Sequence, residues 1–268
     1  MWWRKLIASE WLVDEEEEVA ETKENINEVR GAIPNPPVST LPPVQLGFGG
    51  CGGMYSYFLG VAAVIQKNFK LDNVIFSGSS AGCFPAMFLA LDLDIEKEFK
   101  TFHAEILNEA RDHPLRALGR WIPIVRKHTM KKLQASGDDA YKAALGRLFC
   151  SMTSFPAFKN HLVGDFESNA DLVDSVLASA SVAFYADSLT QNFRGSSYID
   201  GSLTNNSPVP HGSEYPSKVL QVWHWRWMSP TWALISTCSD WTQQLFDWGK
   251  EDALQNLDDL ATILTYKS

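Results

Sequence analysis

The chain has 268 residues, of which 45% are hydrophobic and 12% aromatic, a composition typical of a folded globular protein with a sizeable core. The formal net charge is −9 and no block of lysine and arginine is present, which argues against nucleic acid as a partner. The four cysteines lie far apart, without the spacing of a zinc ribbon or a redox motif, so we expect a reducing compartment and no disulfide framework.

The first part of the chain differs in composition from the rest. Residues 1–44 hold nine acidic and four basic residues, and five prolines fall between positions 34 and 43. We therefore predict an acidic N-terminal arm and proline-rich linker over residues 1–43, and a single catalytic domain over residues 44–268. The sequence predicts neither a signal peptide nor a transmembrane helix, since no run reaches about 18 apolar residues, and we expect an intracellular, cytoplasmic protein.

Strands and helices alternate at the start of the predicted domain. A strand over residues 44–48 leads through a glycine cluster to a helix over residues 57–67, and a second strand begins at Val74. This order predicts a right-handed βαβ unit with a parallel sheet. Residues 95–149 are predicted to be mostly helical. The remaining predicted elements are a helix over 171–181, strands over 197–199 and 218–223, and a final helix over 243–264.

The second strand runs into a Gly-x-Ser-x-Gly motif, residues 78–82, and a helical pattern follows from residue 83. Strand, motif and helix in this order predict a nucleophile elbow, in which Ser80 stands at the helix N-terminus where free N–H groups favour negative charge. Gly78 and Gly82 suit such a tight turn because a Cβ at either position would clash with neighbouring backbone. An ordinary Gly-Ser loop is the alternative that the motif alone leaves open.

A glycine-rich loop follows the first strand. Residues 49–53 hold four glycines, more than a strand-to-helix turn needs, and backbone N–H groups without side chains suit the stabilisation of an oxyanion. The predicted donors are Gly50, Cys51, Gly52 and Gly53. The same loop matches the dinucleotide fingerprint, but the acid of that fingerprint should follow the second strand and Asp72 precedes it, so a dinucleotide site is excluded.

The residues alone leave two candidates for the general base. Asp200 with His211 or His224 would give the order serine, acid, histidine that an α/β-hydrolase uses. Alternatively, Asp200 itself accepts the serine proton, held by the Asp200-Gly201 turn after a short strand. A hairpin turn without a catalytic role is the simpler interpretation of this dipeptide.

Three motifs in order resemble those of the patatin-like phospholipases: residues 50–53, residues 78–82 and Asp200-Gly201. Flanking segments are similar to the adipose triglyceride lipase and adiponutrin branch, and the likeness extends over roughly residues 44–210. The resemblance implies a three-layer α/β/α fold with a mainly parallel central sheet. It also implies a serine carboxylic-ester hydrolase of the EC 3.1.1 type, in which Ser80 attacks, Asp200 is its base and residues 50–53 form the oxyanion hole.

The resemblance implies an acyl-enzyme and lipid degradation without a metal or organic cofactor. A lipid at a membrane or lipid-droplet surface is the expected partner, with peripheral association of the protein at that surface. The sequence does not predict a protein partner. Two alternatives remain: a histidine-dependent α/β-hydrolase esterase, and a weakly active lipid-binding or transacylase relative. The second is suggested by Tyr55, which stands where the family pattern has the last glycine of the loop and could narrow it.

Overall fold

A computed structural model describes residues 39–111, 121–182, 188–234 and 239–267. Most of the predicted acidic arm, residues 1–38, lies outside this part of the chain, so the arm and the predicted domain boundary stay predictions. His113 and Cys238 also lie outside it. The three cysteines that are described, Cys51, Cys83 and Cys150, are buried and free.

The centre of the fold is a mixed sheet of seven strands in the order β6-β7-β4-β3-β1-β8, with β5 paired to β4. Strands β8, β1, β3 and β4 run parallel, whereas β5, β6 and β7 pair antiparallel. A separate two-stranded ribbon joins β2 to β9. The strands are β1 Val44–Phe48, β2 Phe69–Lys70, β3 Val74–Ser79, β4 Leu148–Ser154, β5 Asn160–Val163, β6 Gln191–Phe193, β7 Ser196–Ile199, β8 Ser217–Leu220 and β9 Thr265–Tyr266.

Helices flank this sheet, which confirms the predicted α/β fold with mainly parallel strands. The α-helices are α1 Tyr55–Asn68, α2 Cys83–Ala90, α3 Ile95–Glu98, α4 Ala104–Arg111, α5 Trp121–Ser136, α6 Asn169–Ser179, α7 Ser239–Gln255 and α8 Leu257–Ala261. Every residue of β1 and β3 is buried, as expected for parallel strands covered on both faces. The predicted βαβ unit is confirmed, because β1 and β3 pair in parallel from Val44 opposite Val74.

Two predictions about the second half of the chain are corrected. The helical prediction for residues 95–149 is wrong at its end, because β4 begins at Leu148 and pairs with β3 in the middle of the sheet. The predicted final helix over 243–264 is divided into α7 and α8. The first correction matters for function, since β4 lies directly beside the strand that carries the elbow.

Candidate active site

The elbow forms where β3 ends. Ser80 has a φ of +54°, a left-handed conformation that costs a non-glycine residue about 1–2 kcal/mol, and a short 3₁₀ turn then leads into α2. A Cβ on Gly78 would stand 2.5 Å from the Cα of Cys83, and one on Gly82 would overlap the carbonyl oxygen of Phe48. Both glycines are therefore required by close backbone approach, for the reason that the sequence predicts.

Ser80 and Asp200 meet although 120 residues separate them. The Oγ of Ser80 donates to the Oδ2 of Asp200 over 2.5 Å, while the Oδ1 accepts from the backbone N–H and the hydroxyl of Ser202 over 2.9 and 2.5 Å. Only 5% of Ser80 and 4% of Asp200 is exposed. Burial raises the pKa of the Asp200 carboxyl, and the hydrogen bonds from Ser202 and Ser80 offset only part of that rise. A carboxylate with a raised pKa is a stronger base towards a hydroxyl proton.

The acid loop, residues 200–203, carries Asp200 and is fixed on β4. Strand β7 pairs with β4, so that Ile199 lies opposite Thr153, and the Thr153 hydroxyl donates to the Asp200 carbonyl oxygen over 2.8 Å. A Cβ on Gly201 would overlap the carbonyl oxygen of Ser151, so the loop lies directly against the strand. The dipeptide Asp200-Gly201 is thus more than a hairpin turn: it begins a 3₁₀ turn that seats the carboxylate against the sheet.

The glycine loop leaves β1 beside the elbow, since a Cβ built on Gly50 would lie 3.2 Å from the Cβ of Ser80. The Gly50 amide donates to the Oδ1 of Asn206 over 2.6 Å. Gln221 holds Asn206 in turn. The side-chain amide of Asn206 donates to the Gln221 Oε1 over 3.0 Å, and the Gln221 Nε2 donates to the backbone carbonyl oxygen of Asn206 over 2.9 Å. In this geometry the predicted oxyanion donor Gly50 already has an acceptor.

The rest of the loop begins a helix. Gly52–Met54 form a 3₁₀ turn that continues into α1, and the first bond inside the turn runs from the Met54 amide to the Cys51 carbonyl over 3.0 Å. The amides of Cys51, Gly52 and Gly53 precede that bond, where the N–H groups of a helix start have no helical acceptor. The Cys51 thiol is itself buried, and burial raises its pKa well above the usual range, so it stays protonated.

Tyr55 takes the place of the family glycine without backbone strain. Its φ of −56° and ψ of −27° are those of an ordinary right-handed helix, so this position does not require glycine. Its ring faces that of Phe84 on α2, with the centroids 6.3 Å apart. The tyrosine therefore packs between the two helices that begin at the site.

The two histidines of the predicted triad do not approach Asp200. The backbone N–H of His211 donates to the side chain of Gln45 near the start of β1, at the end of the sheet opposite the elbow. His224 lies 3.3 Å from Asp259. Within the described ranges, the Asp200 carboxylate has hydrogen bonds only with serine groups, so the geometry presents a serine–aspartate pair rather than a triad.

The sequence analysis assigned no function to three side chains of the site: Ser179, Ser202 and Asn206. Ser179 lies at the end of α6 and its Oγ accepts the Ser80 amide over 2.9 Å. Positions 179 and 206 fall in segments that carry the family resemblance, and this was the only sign in the sequence that they belong to the site. Their contacts depend on where β4 and the acid loop lie in the fold, so the sequence could not predict them.

Among the described residues, no group of three or more histidine, cysteine or acidic side chains is arranged to hold a metal ion. No helix in the described part of the chain has both the length and the apolar character to cross a membrane.

Comparison with known proteins identifies the family. The family model for patatin-like phospholipase matches residues 46–211, which span the glycine loop, the elbow and Asp200. The chain belongs to the patatin-like phospholipase family. The predicted resemblance is confirmed, and the chain joins a family of lipid acyl hydrolases and acyltransferases.

Relatives within the family are distant. Patatin-like phospholipase domain-containing protein 4 of Homo sapiens is 29% identical over 169 residues, which are 62% of this chain and 67% of the relative. The 1-acylglycerol-3-phosphate O-acyltransferase Pnpla3 of Mus musculus is 26% identical over 169 residues, 62% of this chain and 40% of the relative. The solved structure of VipD from Legionella pneumophila has 13% identity and a TM-score of 0.48, covering 86% of this chain and 71% of VipD.

Proposed function

We propose that this chain hydrolyses an acyl ester of a lipid through a Ser80–Asp200 dyad and an acyl-enzyme. The observation that carries the proposal is the 2.5 Å hydrogen bond from the Ser80 hydroxyl to the Asp200 carboxylate, beside the glycine loop, in a chain of this family. The buried carboxylate of raised pKa supports the choice of Asp200 as the base. Neither of the two candidate histidines is within reach of it.

In the first half-reaction, the Ser80 Oγ attacks the ester carbonyl carbon while its proton passes to Asp200. The tetrahedral intermediate carries negative charge on the former carbonyl oxygen. It collapses by breaking the carbon–oxygen bond to the leaving alcohol, which takes the proton from Asp200. An acyl ester of Ser80 remains.

In the second half-reaction, water replaces the alcohol. Asp200 accepts a proton from this water as its oxygen attacks the acyl carbon. Collapse of the second tetrahedral intermediate breaks the bond to Ser80 and releases the fatty acid. The proton held by Asp200 returns to the Ser80 oxygen, and the enzyme is restored.

The oxyanion donors are better assigned to Cys51, Gly52 and Gly53 than to the whole predicted set of residues 50–53. Gly50 donates to Asn206 and therefore serves to hold the loop beside the nucleophile. Backbone donors fixed before the reaction contribute most when charge develops in a site shielded from water, and Ser80 is almost fully buried.

A lipid surface is the proposed partner, because apolar side chains flank the site. The carboxyl ends of the parallel strands share one edge of the sheet with Ser80. Large apolar side chains are exposed on the segments that follow the ends of β4 and β8 and on the turn that Asp200 begins: Phe155, Phe158, Leu203, Trp223 and Trp227. The strand order places the first three on one side of Ser80, near β4 and β7, and the tryptophans on the other, after β8. Aromatic side chains of this kind suit the boundary of a lipid layer, so peripheral association through this edge is proposed.

A hydrolysis screen tests the proposed function. Phospholipids, galactolipids, lysolipids and acylglycerols are presented in mixed micelles, with the Ser80→Ala variant as the blank. Release of fatty acid from at least one class by the wild type alone is the expected result. Equal release by both proteins for every class would contradict the proposal.

Acyl transfer is a second candidate, because several relatives are named as acyltransferases or transacylases. The same acyl-enzyme would pass its acyl group to a lipid hydroxyl instead of to water. Addition of a lysolipid acceptor to the screen separates the two reactions: a transferase yields a diacyl product at the expense of free fatty acid, whereas a hydrolase yields fatty acid at an unchanged rate.

A further inference from the structure

Ser179 has three polar neighbours at the base of the elbow. Its side chain is fully buried at the C-terminal end of α6. The Oγ accepts the backbone N–H of Ser80 over 2.9 Å and lies 2.5 Å from the carbonyl oxygen of Ser151 on β4. The Cys83 thiol donates to the same Oγ over 3.1 Å.

The chemistry of these neighbours fixes the direction of every bond. A serine hydroxyl has one proton to donate and two lone pairs to accept with. The carbonyl of Ser151 can only accept, so it takes the Ser179 proton. The Ser80 amide can only donate, and the Cys83 thiol fills the remaining lone pair. The hydroxyl of Ser179 is therefore saturated and has no proton to exchange with Ser80.

We infer that Ser179 is a positioning residue that holds the nucleophile in its left-handed backbone conformation. Its bond to the Ser80 amide joins the elbow to β4 through Ser151. The same strand holds the acid, because Thr153 donates to the Asp200 carbonyl. One strand thus sets both ends of the 2.5 Å bond between Ser80 and Asp200. The hydrogen bond between Ser179 and the Ser80 amide does not depend on which reaction the site performs, but its effect on a reaction rate rests on the proposed function.

The chain offers a matched control on the same helix. Ser175 lies one turn before Ser179, is equally buried, and donates its hydroxyl proton to the carbonyl oxygen of Leu172 over 2.8 Å, while the sulfur of Cys150 lies 3.7 Å from the same hydroxyl oxygen. Neither of these two hydrogen-bonded contacts is with a residue of the elbow. Ser179→Ala and Ser175→Ala therefore each remove one buried serine hydroxyl, but only Ser179→Ala removes the acceptor of the Ser80 amide.

The rate of covalent labelling of Ser80 by a fluorophosphonate is measured in the full chain, together with kcat and KM for p-nitrophenyl butyrate. All rates are corrected for the folded fraction from a thermal melt. Ser179→Ala is expected to lower the labelling rate and kcat about 10- to 100-fold, since a small displacement of an attacking group costs this much. KM and the pH profile stay unchanged, because Ser179 passes no proton. Ser175→Ala stays within about twofold of the wild type, in the range expected for a residue outside the site.

Rescue and contrary outcomes are equally specific. Ser179→Thr keeps the hydroxyl and should recover most of the rate, which also covers the case in which the alanine variant does not fold. Equal corrected rates for the two alanine variants, or no recovery in a folded threonine variant, would overturn the inference. A displaced pH profile in Ser179→Ala would assign Ser179 a proton-transfer role instead.

Amide hydrogen exchange of Ser80, followed by NMR, tests the contact without any reaction. The Ser80 amide should exchange at least about tenfold faster in Ser179→Ala than in Ser175→Ala, since it loses its acceptor. Unchanged exchange would overturn the positioning role even in an active enzyme. Failure of the wild type to react with the fluorophosphonate, combined with the expected difference in exchange, would instead overturn the proposed function alone.

Discussion

The two halves of the site are built differently. The Ser80–Asp200 pair is almost fully buried; Ser179 accepts the Ser80 amide, and the hydroxyls of Ser202 and Thr153 donate to Asp200. The glycine loop is fixed at its first two amides, where Gly49 donates to the Leu220 carbonyl and Gly50 donates to Asn206, and the next three amides are not used by the helix that follows. The proposed reacting pair is thus in place before a substrate arrives, whereas the loop keeps N–H donors available for the substrate.

The buried pair also carries an energetic cost that the loop does not. Ser80 has a strained backbone, and Asp200 is a carboxyl group whose burial disfavours its charge. Strain and desolvation of this kind persist where surrounding contacts hold them, and they concentrate at functional sites. This difference makes the pair the better candidate for the chemical step and the loop the better candidate for stabilising its charge.

The largest expected effect comes from removing either member of the pair. Ser80→Ala leaves no nucleophile and Asp200→Asn leaves no base, so each should lower kcat at least about 10³-fold. Ester hydrolysis in mixed micelles measures both, and circular dichroism controls for the fold. Retention of more than a tenth of the wild-type rate in a folded variant would break the assignment.

Loosening the glycine loop should have a smaller effect. Asn206→Ala removes the acceptor of the Gly50 amide and should lower kcat about 10- to 100-fold, less than the roughly 10²–10³-fold cost of losing an oxyanion donor, because the proposed donors themselves remain. The neighbouring Asn205→Ala is the control, since the Asn205 side chain bonds Asn160 and the backbone of Ser207 instead. Equal rates for the two variants would remove Asn206 from the support of the loop.

Vesicle binding tests the proposed lipid-facing surface, which includes the exposed Trp223 and Trp227. A double variant, Trp223→Ser with Trp227→Ser, should bind phosphatidylcholine vesicles about tenfold more weakly, because the exposed indole rings that suit the lipid boundary are lost. Its rate on soluble p-nitrophenyl butyrate should not change. Tyr266→Ser is the control, since Tyr266 is also exposed but pairs with β2, at the end of α1 away from the elbow. Similar binding by both variants would contradict the proposed surface.

The smallest effect is a shift along the pH axis. The rate should rise with pH as Asp200 ionises, and the Ser202 hydroxyl lowers the pKa of this carboxyl by bonding its charged form. Ser202→Ala removes that bond, so the pKa of Asp200 rises and the acid limb of kcat/KM moves to higher pH. The expected displacement is up to about one pH unit with an unchanged plateau. A shift to lower pH would contradict Asp200 as the base.

The local parts of the site were predictable from the sequence. The elbow is a continuous segment in which strand, tight turn and helix follow each other, so its glycines and Ser80 could be assigned from their order. The pairing with Asp200 spans 120 residues and came from the order of family motifs rather than from periodicity. Residues alone left the histidines His211 and His224 open, since sequence distance does not reveal which end of the sheet they occupy.

The strand β4 could not be read from its pattern. Its seven residues, Leu148–Ser154, mix apolar side chains with serine, threonine and cysteine, and six of the seven are buried. Burial on both faces removes the alternation that marks a half-exposed strand, and the polar residues interrupt the apolar run that marks a buried one. Because the sequence analysis did not predict β4, it could not predict the contacts of Ser151 and Thr153. The role of Ser179 depends on those contacts and was therefore not predicted either.

The most direct test of the site is a single labelling measurement. Wild type, Asp200→Asn, His211→Ala and His224→Ala are treated with a fluorophosphonate, and the modified peptide is identified by mass spectrometry. The dyad predicts an adduct on Ser80 in the wild type and both histidine variants, and at least about 10³-fold slower labelling in Asp200→Asn. An adduct elsewhere, undiminished labelling in Asp200→Asn, or loss of labelling in a folded histidine variant would contradict it.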